Sequence, residues 1–254
     1  MTVMTLAEVA RESARLIRLR LILLSRWLLQ VHGDKVHRGP FQGMTMIHRE
    51  GDMISAFVPR LLGFYEQDLH EEVEAAIARG YGAVATIGCA EGYYSVGLAR
   101  RMPTSRHFAF DTSVNAQRLC QEAAMINGVA DRLAISGECD HATLDQIITA
   151  HSSALLVVDC EGSEGMLLDP ATCPALRKAD IIVECHEFLD PGLTDRLVER
   201  FRISHAIQRI EQGARNPAVL PFLHNSSDID RWLMVMEDRP KLMWWLIMKA
   251  RRES

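Results

Sequence analysis

The chain has 254 residues, with 28 Lys and Arg against 33 Asp and Glu and a formal net charge of −5. Near-zero mean hydropathy, 48% hydrophobic and 24% charged residues exclude a disordered chain, a collagen-like repeat and a coiled-coil rod. The mild acidity speaks against general nucleic-acid binding, because neutralising phosphates needs an excess of Lys and Arg.

The first element in chain order is a helix. Leu16–Val31 reads LIRLRLILLSRWLLQV, but Arg18, Arg20 and Arg26 interrupt it. A spanning helix needs ~20 predominantly apolar residues, so no transmembrane segment is expected. Leu16, Leu19, Leu23 and Trp27 share one helical face, which is expected to pack on the domain or on a second subunit, a homodimer through the N-terminal helix. Residues 1–40 carry net +4, leaving −9 for the remainder. The helix breaks within Val31–Phe41, where His32-Gly33-Asp34 and Gly39-Pro40 fall. Residues 1–80 are therefore read as an N-terminal helical extension that caps a body formed by residues 81–254. The six cysteines are scattered and form no CxxC pair, which suits reduced thiols in a cytoplasmic protein.

From Tyr81 onward, short apolar runs alternate with amphipathic stretches. Strands are predicted at Gly82–Gly88, His107–Asp111, Leu133–Ser136, Ala154–Asp159 and Asp180–Cys185. Helices are predicted at Tyr93–Arg101, Asn115–Ile126, Thr143–Ala150 and Leu193–Arg202. Continuous apolar strands separated by helices imply a parallel sheet covered on both faces, and right-handed crossovers make it a Rossmann-like α/β fold. His205–Ile210 adds a sixth strand and Ile229–Met236 a helix. Leu242–Ala250 adds a seventh strand, expected at an antiparallel edge because Lys249, Arg251 and Arg252 close it. The fold class is thus α/β, a seven-stranded mostly parallel sheet with helices on both faces.

The first predicted strand runs into Gly88-Cys89-Ala90-Glu91-Gly92, where glycines let backbone approach a ligand at the switch point of the sheet. The third glycine of a dinucleotide fingerprint is missing, as is the Gly-Lys-Ser/Thr of a phosphate loop. Asp111, 23 positions beyond Gly88, falls where a carboxylate accepts hydrogen bonds from a ribose diol. Glu138 and Cys139 follow the third strand, where a loop can line an adenine pocket, and Asp159 ends the fourth. Acidic residues at three successive strand ends suit a ligand with positive charge better than a pyrophosphate.

The segments TIGCAEGYYSVGLA, AFDTS, INGVADRL and LLVVDCEGSEGMLLDP, in that order, resemble class I S-adenosylmethionine (SAM)-dependent methyltransferases. Asp159–Glu164 (DCEGSE) and Val183–Phe188 (VECHEF) narrow the likeness to the FkbM-type group of small-molecule O-methyltransferases. The resemblance implies that Gly88, Ala90 and Gly92 hug the methionine part of SAM and that Asp111, followed by Thr112, binds the ribose. It implies that Glu138 and Cys139 flank adenine and that Asp159 faces the SAM amino group or the acceptor. Leu61–Glu66 resembles a segment preceding the core in such enzymes, which would bring Tyr65 and Glu66 over the methionine end. Thr86 departs from the pattern, because many members carry an acidic residue there. Weaker SAM binding is the expected consequence unless Glu91 compensates.

Methyl transfer to an alcohol gains from a general base, and His186, just beyond the fifth strand, is the candidate. Pleat alternation puts Glu184 on the same face. Asp159, Glu161, His186, Glu187 and Asp190 fall in two neighbouring strand-end loops. Such an oxygen-rich set suits Mg²⁺, although no tight ligand motif is present. The function expected is transfer of a methyl group to a hydroxyl of a small metabolite, a sugar or natural product. The alternatives are a nucleotide-cofactor oxidoreductase on the same fold and a non-catalytic SAM-binding protein.

Overall fold

The computed structural model describes residues 5–48 and 56–251. The chain divides into two compact units, Met1–Gln67 with Ala214–Asp238, and Asp68–Gly213 with Arg239–Ser254.

The second unit contains a seven-stranded sheet. Its strands are β1 (Ala83–Ile87), β2 (Arg106–Phe110), β3 (Leu133–Ser136), β4 (Ala154–Val158), β5 (Asp180–Glu184), β6 (His205–Glu211) and β7 (Trp244–Ala250), in the spatial order β3-β2-β1-β4-β5-β7-β6. The first five run parallel, and β7 is antiparallel to both β5 and β6. Every residue of β1, β4 and β5 is buried, as central parallel strands covered on both faces require. The fold is the Rossmann-like α/β arrangement expected from the order of apolar runs.

One expectation needs correcting. The last strand is not the edge: β7 inserts between β5 and β6, and Trp245–Met248 are all buried. β6 is the edge, and its exposed Gln208, Arg209 and Glu211 blunt an open strand against unwanted pairing.

The pleat sorts side chains to two faces. Ala83, Ala85 and Ile87 of β1, Leu156 and Val158 of β4, and Ile181, Val183 and Cys185 around β5 form one core with Leu144 and Ile147 of α6 (His141–Ala150) and Leu197 and Phe201 of α8 (Leu193–Phe201). The opposite face meets α4 (Tyr93–Arg101), where the buried Thr86 and Ser95 hydroxyls lie 2.5 Å apart. Strand residues alternating with the first set, Thr86 and Glu184 among them, therefore belong to the α4 side. α3 (His70–Arg79) and α5 (Val114–Ile126) complete the principal helices of this unit, with a short α7 (Glu164–Leu167) after β4.

The first unit is built around α1 (Leu6–His32), α2 (Phe57–Leu62) and α9 (Asp228–Val235). Thr5 and Glu8 form a reciprocal capping box at the start of α1, and Gly33 at φ 77° ends it. The face of α1 that packs is the one carrying Ser25 and Leu28, both buried. The stripe of Leu16, Leu19, Leu23 and Trp27 is exposed, so the expectation that it packs on the domain is not met. Arg20 Nε donates to Asp230 Oδ1 at 2.5 Å and ties α1 to α9. No helix among the described residues is long and apolar enough to cross a membrane.

Candidate active site

The strand register lines up the expected site residues. Ile87 pairs with Phe110 and Val158, Phe110 with Ser136, and Val158 with Val183. The next residue on each strand is Gly88, Asp111, Gly137, Asp159 and Glu184, so five strands deliver their continuations to one carboxyl edge. Ligands of open α/β sheets bind at this edge.

Gly88 has φ 84°, and a Cβ there would lie 1.6 Å from the Asp159 carbonyl oxygen. The glycine is required by the close crossing of the β1 and β4 continuations. Gly92, at φ 95°, opens α4, and its missing Cβ makes room for Cys120 Sγ and Val96. Between them, Ala90 adopts φ 45°, a left-handed conformation unusual for a residue with a Cβ. It is stabilised by Asp111, whose Oδ2 accepts from the Ala90 N–H at 2.9 Å while Oδ1 accepts from the Ser113 N–H at 2.9 Å. Asp111 thus shapes the glycine loop, and an ionised carboxylate with about four acceptor positions keeps capacity for a diol. Thr112 and Glu138 are exposed and Glu91 is half-buried. Cys139 joins the core, where burial pushes its thiol up to about 12 and leaves it an uncharged packing group. Thr86 spends its hydroxyl on Ser95, so no charge takes the place of the missing carboxylate at that position.

The most organised part of the edge lies beyond β4 and β5. Glu164, fully buried at the start of α7, accepts from the Cys160 N–H at 3.1 Å, the Gly162 N–H at 3.0 Å and His186 Nδ1 at 2.7 Å. An ionised carboxylate only accepts, so Nδ1 carries the proton and Nε2 is the nitrogen that gains or loses one. His186 Nε2 faces Asp159 Oδ1 at 3.6 Å and Glu161 Oε2 at 3.5 Å. Burial works to lower the His186 pKa, but the Glu164 hydrogen bond and the charges of Glu164, Asp159 and Glu161 outweigh it, and the net shift is upward. For Glu164, burial works upward, and the His186 hydrogen bond with the backbone donors carries the net shift below the usual carboxylate range. Glu161, at φ 52°, turns the loop so that its carboxylate reaches the imidazole from the solvent side.

Asp159, Glu184 and His186 each bring a ligand-type atom within 4.8 Å of the other two. Glu184 is paired with Arg239, whose guanidinium lies 5.1 Å from the centre of the Trp245 ring. Its positive charge sits on one of the would-be donors. The guanidinium thus competes with any cation for the Glu184 carboxylate. Two further residues of the expected cluster are used elsewhere. Glu187 accepts from the Gly192 and Thr194 N–H groups at 2.7 and 2.6 Å and caps α8, and Asp190 pairs with Arg196.

The structure thus brings Gly88, Ala90, Asp111, Asp159, Glu184 and His186 to one edge. Tyr65 and Glu66 belong to the other unit, where both are buried. Arg60 stacks 4.3 Å over the Tyr65 ring, and the Glu66 N–H donates to Glu237 Oε1 at 3.2 Å. Two residues escape the sequence reading. Glu164 appears there only as a letter of a motif, although its position five residues after a strand-ending Asp, beside a Gly-Ser turn, marks a loop that folds back. Arg239 has no local signal, because it precedes β7 and reaches Glu184 through the antiparallel pairing of β5 with β7.

No family model matches the chain, and neither does any curated protein. Several solved structures are similar to it. An O-methyltransferase, TomG of Streptomyces achromogenes, in complex with SAM, is 14% identical over 69% of this chain and 77% of its own, with a TM-score of 0.43. An O-methyltransferase of Bacillus cereus in complex with SAH is 13% identical over 92% and 90%, with a TM-score of 0.43. The tRNA methyltransferase TrmK of B. subtilis is 10% identical over 71% and 64%, with a TM-score of 0.47.

Proposed function

We propose that this chain is a SAM-dependent methyltransferase that methylates a hydroxyl of a small metabolite, a sugar or natural product, with His186 as general base. One observation carries the reading. The glycine loop, the Asp111 carboxylate and a buried Glu164–His186 dyad follow neighbouring strands at one carboxyl edge. The residues fit the cofactor, since Asp111 retains acceptor capacity for ribose hydroxyls while already holding the loop in shape. Gly88, Ala90, Glu91 and Gly92 would take the methionine end, Asp111 and Thr112 the ribose, and Glu138 and Cys139 the adenine. Bound SAM supplies an electrophilic methyl group on a sulfonium.

The chain's own contribution is proton transfer and orientation. Glu164 fixes the imidazole with its protonated Nδ1 inward, leaving Nε2 to accept the acceptor's hydroxyl proton as the oxygen approaches the methyl carbon. The Asp159 and Glu161 carboxylates favour the imidazolium that results, the sense in which the His186 pKa is moved. A net charge of −9 outside the first forty residues favours a small acceptor over nucleic acid in the cytoplasm.

Calorimetry with SAM, S-adenosylhomocysteine and NAD tests the cofactor. Saturable binding of the first two is expected, and NAD binding without SAM binding overturns the reading. A screen of hydroxylated acceptors that follows S-adenosylhomocysteine release then tests the reaction. His186→Ala is expected to keep SAM affinity while turnover falls by ~10²–10⁴, the usual contribution of a general base.

A further inference from the structure

The stripe opposite the packed face of α1 is apolar and uncovered. Leu16 is 70% exposed, Leu23 55%, Val31 58% and Trp27 37%, with Leu19 at 54% between them. At 100° per residue these five occupy one continuous band along four turns of the helix. Arg15 and Arg26 border the band on one side, while Arg20 falls within it between Trp27 and Val31 and is paired with Asp230; all three are exposed. Residues 13–32 carry four arginines and no carboxylate. The neighbouring α9, held by the Arg20–Asp230 ion pair, adds exposed Ile229 and Trp232. Single exposed leucines are ordinary, but a band of this length with a Trp and basic borders is not.

We propose that this face docks α1 flat on an anionic lipid surface. The arginine borders decide between occupants. An antiparallel second copy pairing along the same band would set the row of Arg15 and Arg26 against its own copy, which is destabilising. An anionic bilayer offers apolar depth for Leu16, Leu19, Leu23, Trp27 and Val31 and phosphate groups for the Arg15 and Arg26 row beside them. This is the pattern of a helix lying in the interface plane. Arg18, Arg20 and Arg26 prevent the same segment from spanning, so it rests on the surface without crossing it.

Co-sedimentation of the full chain with phosphatidylcholine vesicles, with and without phosphatidylglycerol, tests the proposal, alongside sedimentation velocity of the protein alone. Binding is expected with the anionic lipid only, and it should weaken towards ~1 M salt, where the Debye length falls to ~3 Å. Leu19→Gln/Leu23→Gln, at positions that make little packing contact, is expected to weaken binding at least about tenfold with an unchanged circular dichroism spectrum. Arg15→Gln/Arg26→Gln keeps the apolar band and should lose the preference for anionic lipid. Failure of the wild-type chain to bind anionic vesicles overturns the proposal, as does equal binding to both lipids. A dimer that Leu19→Gln/Leu23→Gln splits, with vesicle binding untouched, assigns the band to a second copy instead.

Discussion

Glu164→Gln isolates the charge of the dyad, because the replacement keeps shape and removes only the negative charge. Glu164 accepts three hydrogen bonds, a buried one from His186 Nδ1 and part-buried ones from Cys160 N and Gly162 N. With the amide oxygen in the place of Oε1, two of these survive as neutral bonds, and the amide NH₂ opposes the Gly162 N–H. The unsatisfied buried donor costs about 1–3 kcal/mol, and the lost charge assistance on the other two brings the total to about 3–5 kcal/mol. Domain stabilities are ~5–15 kcal/mol, so the variant should fold and be measurably weaker in urea unfolding at unchanged m. The deficit should depend on pH in a defined sense. His186 has a raised pKa, so its stabilisation is complete below its ordinary 6.5 and fades as pH climbs through the folded value. Glu164 has a lowered pKa, so its stabilisation is present above 4.5 and is lost as pH falls through the folded value. The gap between wild type and variant is therefore widest between those limits and narrows on the alkaline side. A side-chain NMR titration should show the His186 pKa lower in the variant. A gap that stays flat from ~5 to ~9, or an unmoved His186 titration, would refute the charge pairing.

Gly88→Ala is expected to cost more than about 3 kcal/mol, because its Cβ would overlap the Asp159 carbonyl; Gly128→Ala, with a similar φ and open space, should cost only about 1–2 kcal/mol. Equal thermal shifts for the two would show that the loop crossing is not tight. Asp111→Asn should weaken SAM binding about tenfold or more by calorimetry, with an unchanged Kd removing Asp111 from the ribose contact. Arg239→Met strips the guanidinium from buried Glu184 and should cost about 3–5 kcal/mol in urea unfolding, much of it recovered in Arg239→Met/Glu184→Gln; no recovery would mean that the pair is not the source of the loss.

The element order was legible because buried parallel strands leave an unbroken apolar run and the helices between them do not. Placing the last strand was harder, although the letters held a clue that basic flanks obscured. WWLIM in β7 is the continuous run of a strand with two neighbours, whereas HAIQRIE in β6 is broken by Gln208 and Arg209, which an exposed edge strand accommodates. The N-terminal helix shows a different limit. Periodicity finds an apolar face, but α1 is apolar on two sides, and only the packing of Ser25 and Leu28 decides which one faces inward.

The acidic residues at the strand ends show why a site is less legible than a fold. Spacing located Asp111, Asp159 and His186 correctly on one edge, and their shared appearance suggested a negatively charged pocket for a cationic ligand. Contacts sort them into different tasks. Asp111 is partly consumed by the Ala90 and Ser113 N–H groups, Glu184 by Arg239, Glu187 by the start of α8 and Asp190 by Arg196. Glu164, the carboxylate with the least surface, controls the imidazole most directly. What remains on the solvent side of His186 is Asp159 and Glu161, one partly and one largely exposed. The field at Nε2 is thus set by two carboxylates in front and one behind. Such a field favours the imidazolium over the neutral ring, in the direction the His186 pKa moves, and it follows from three-dimensional pairing that no residue spacing records.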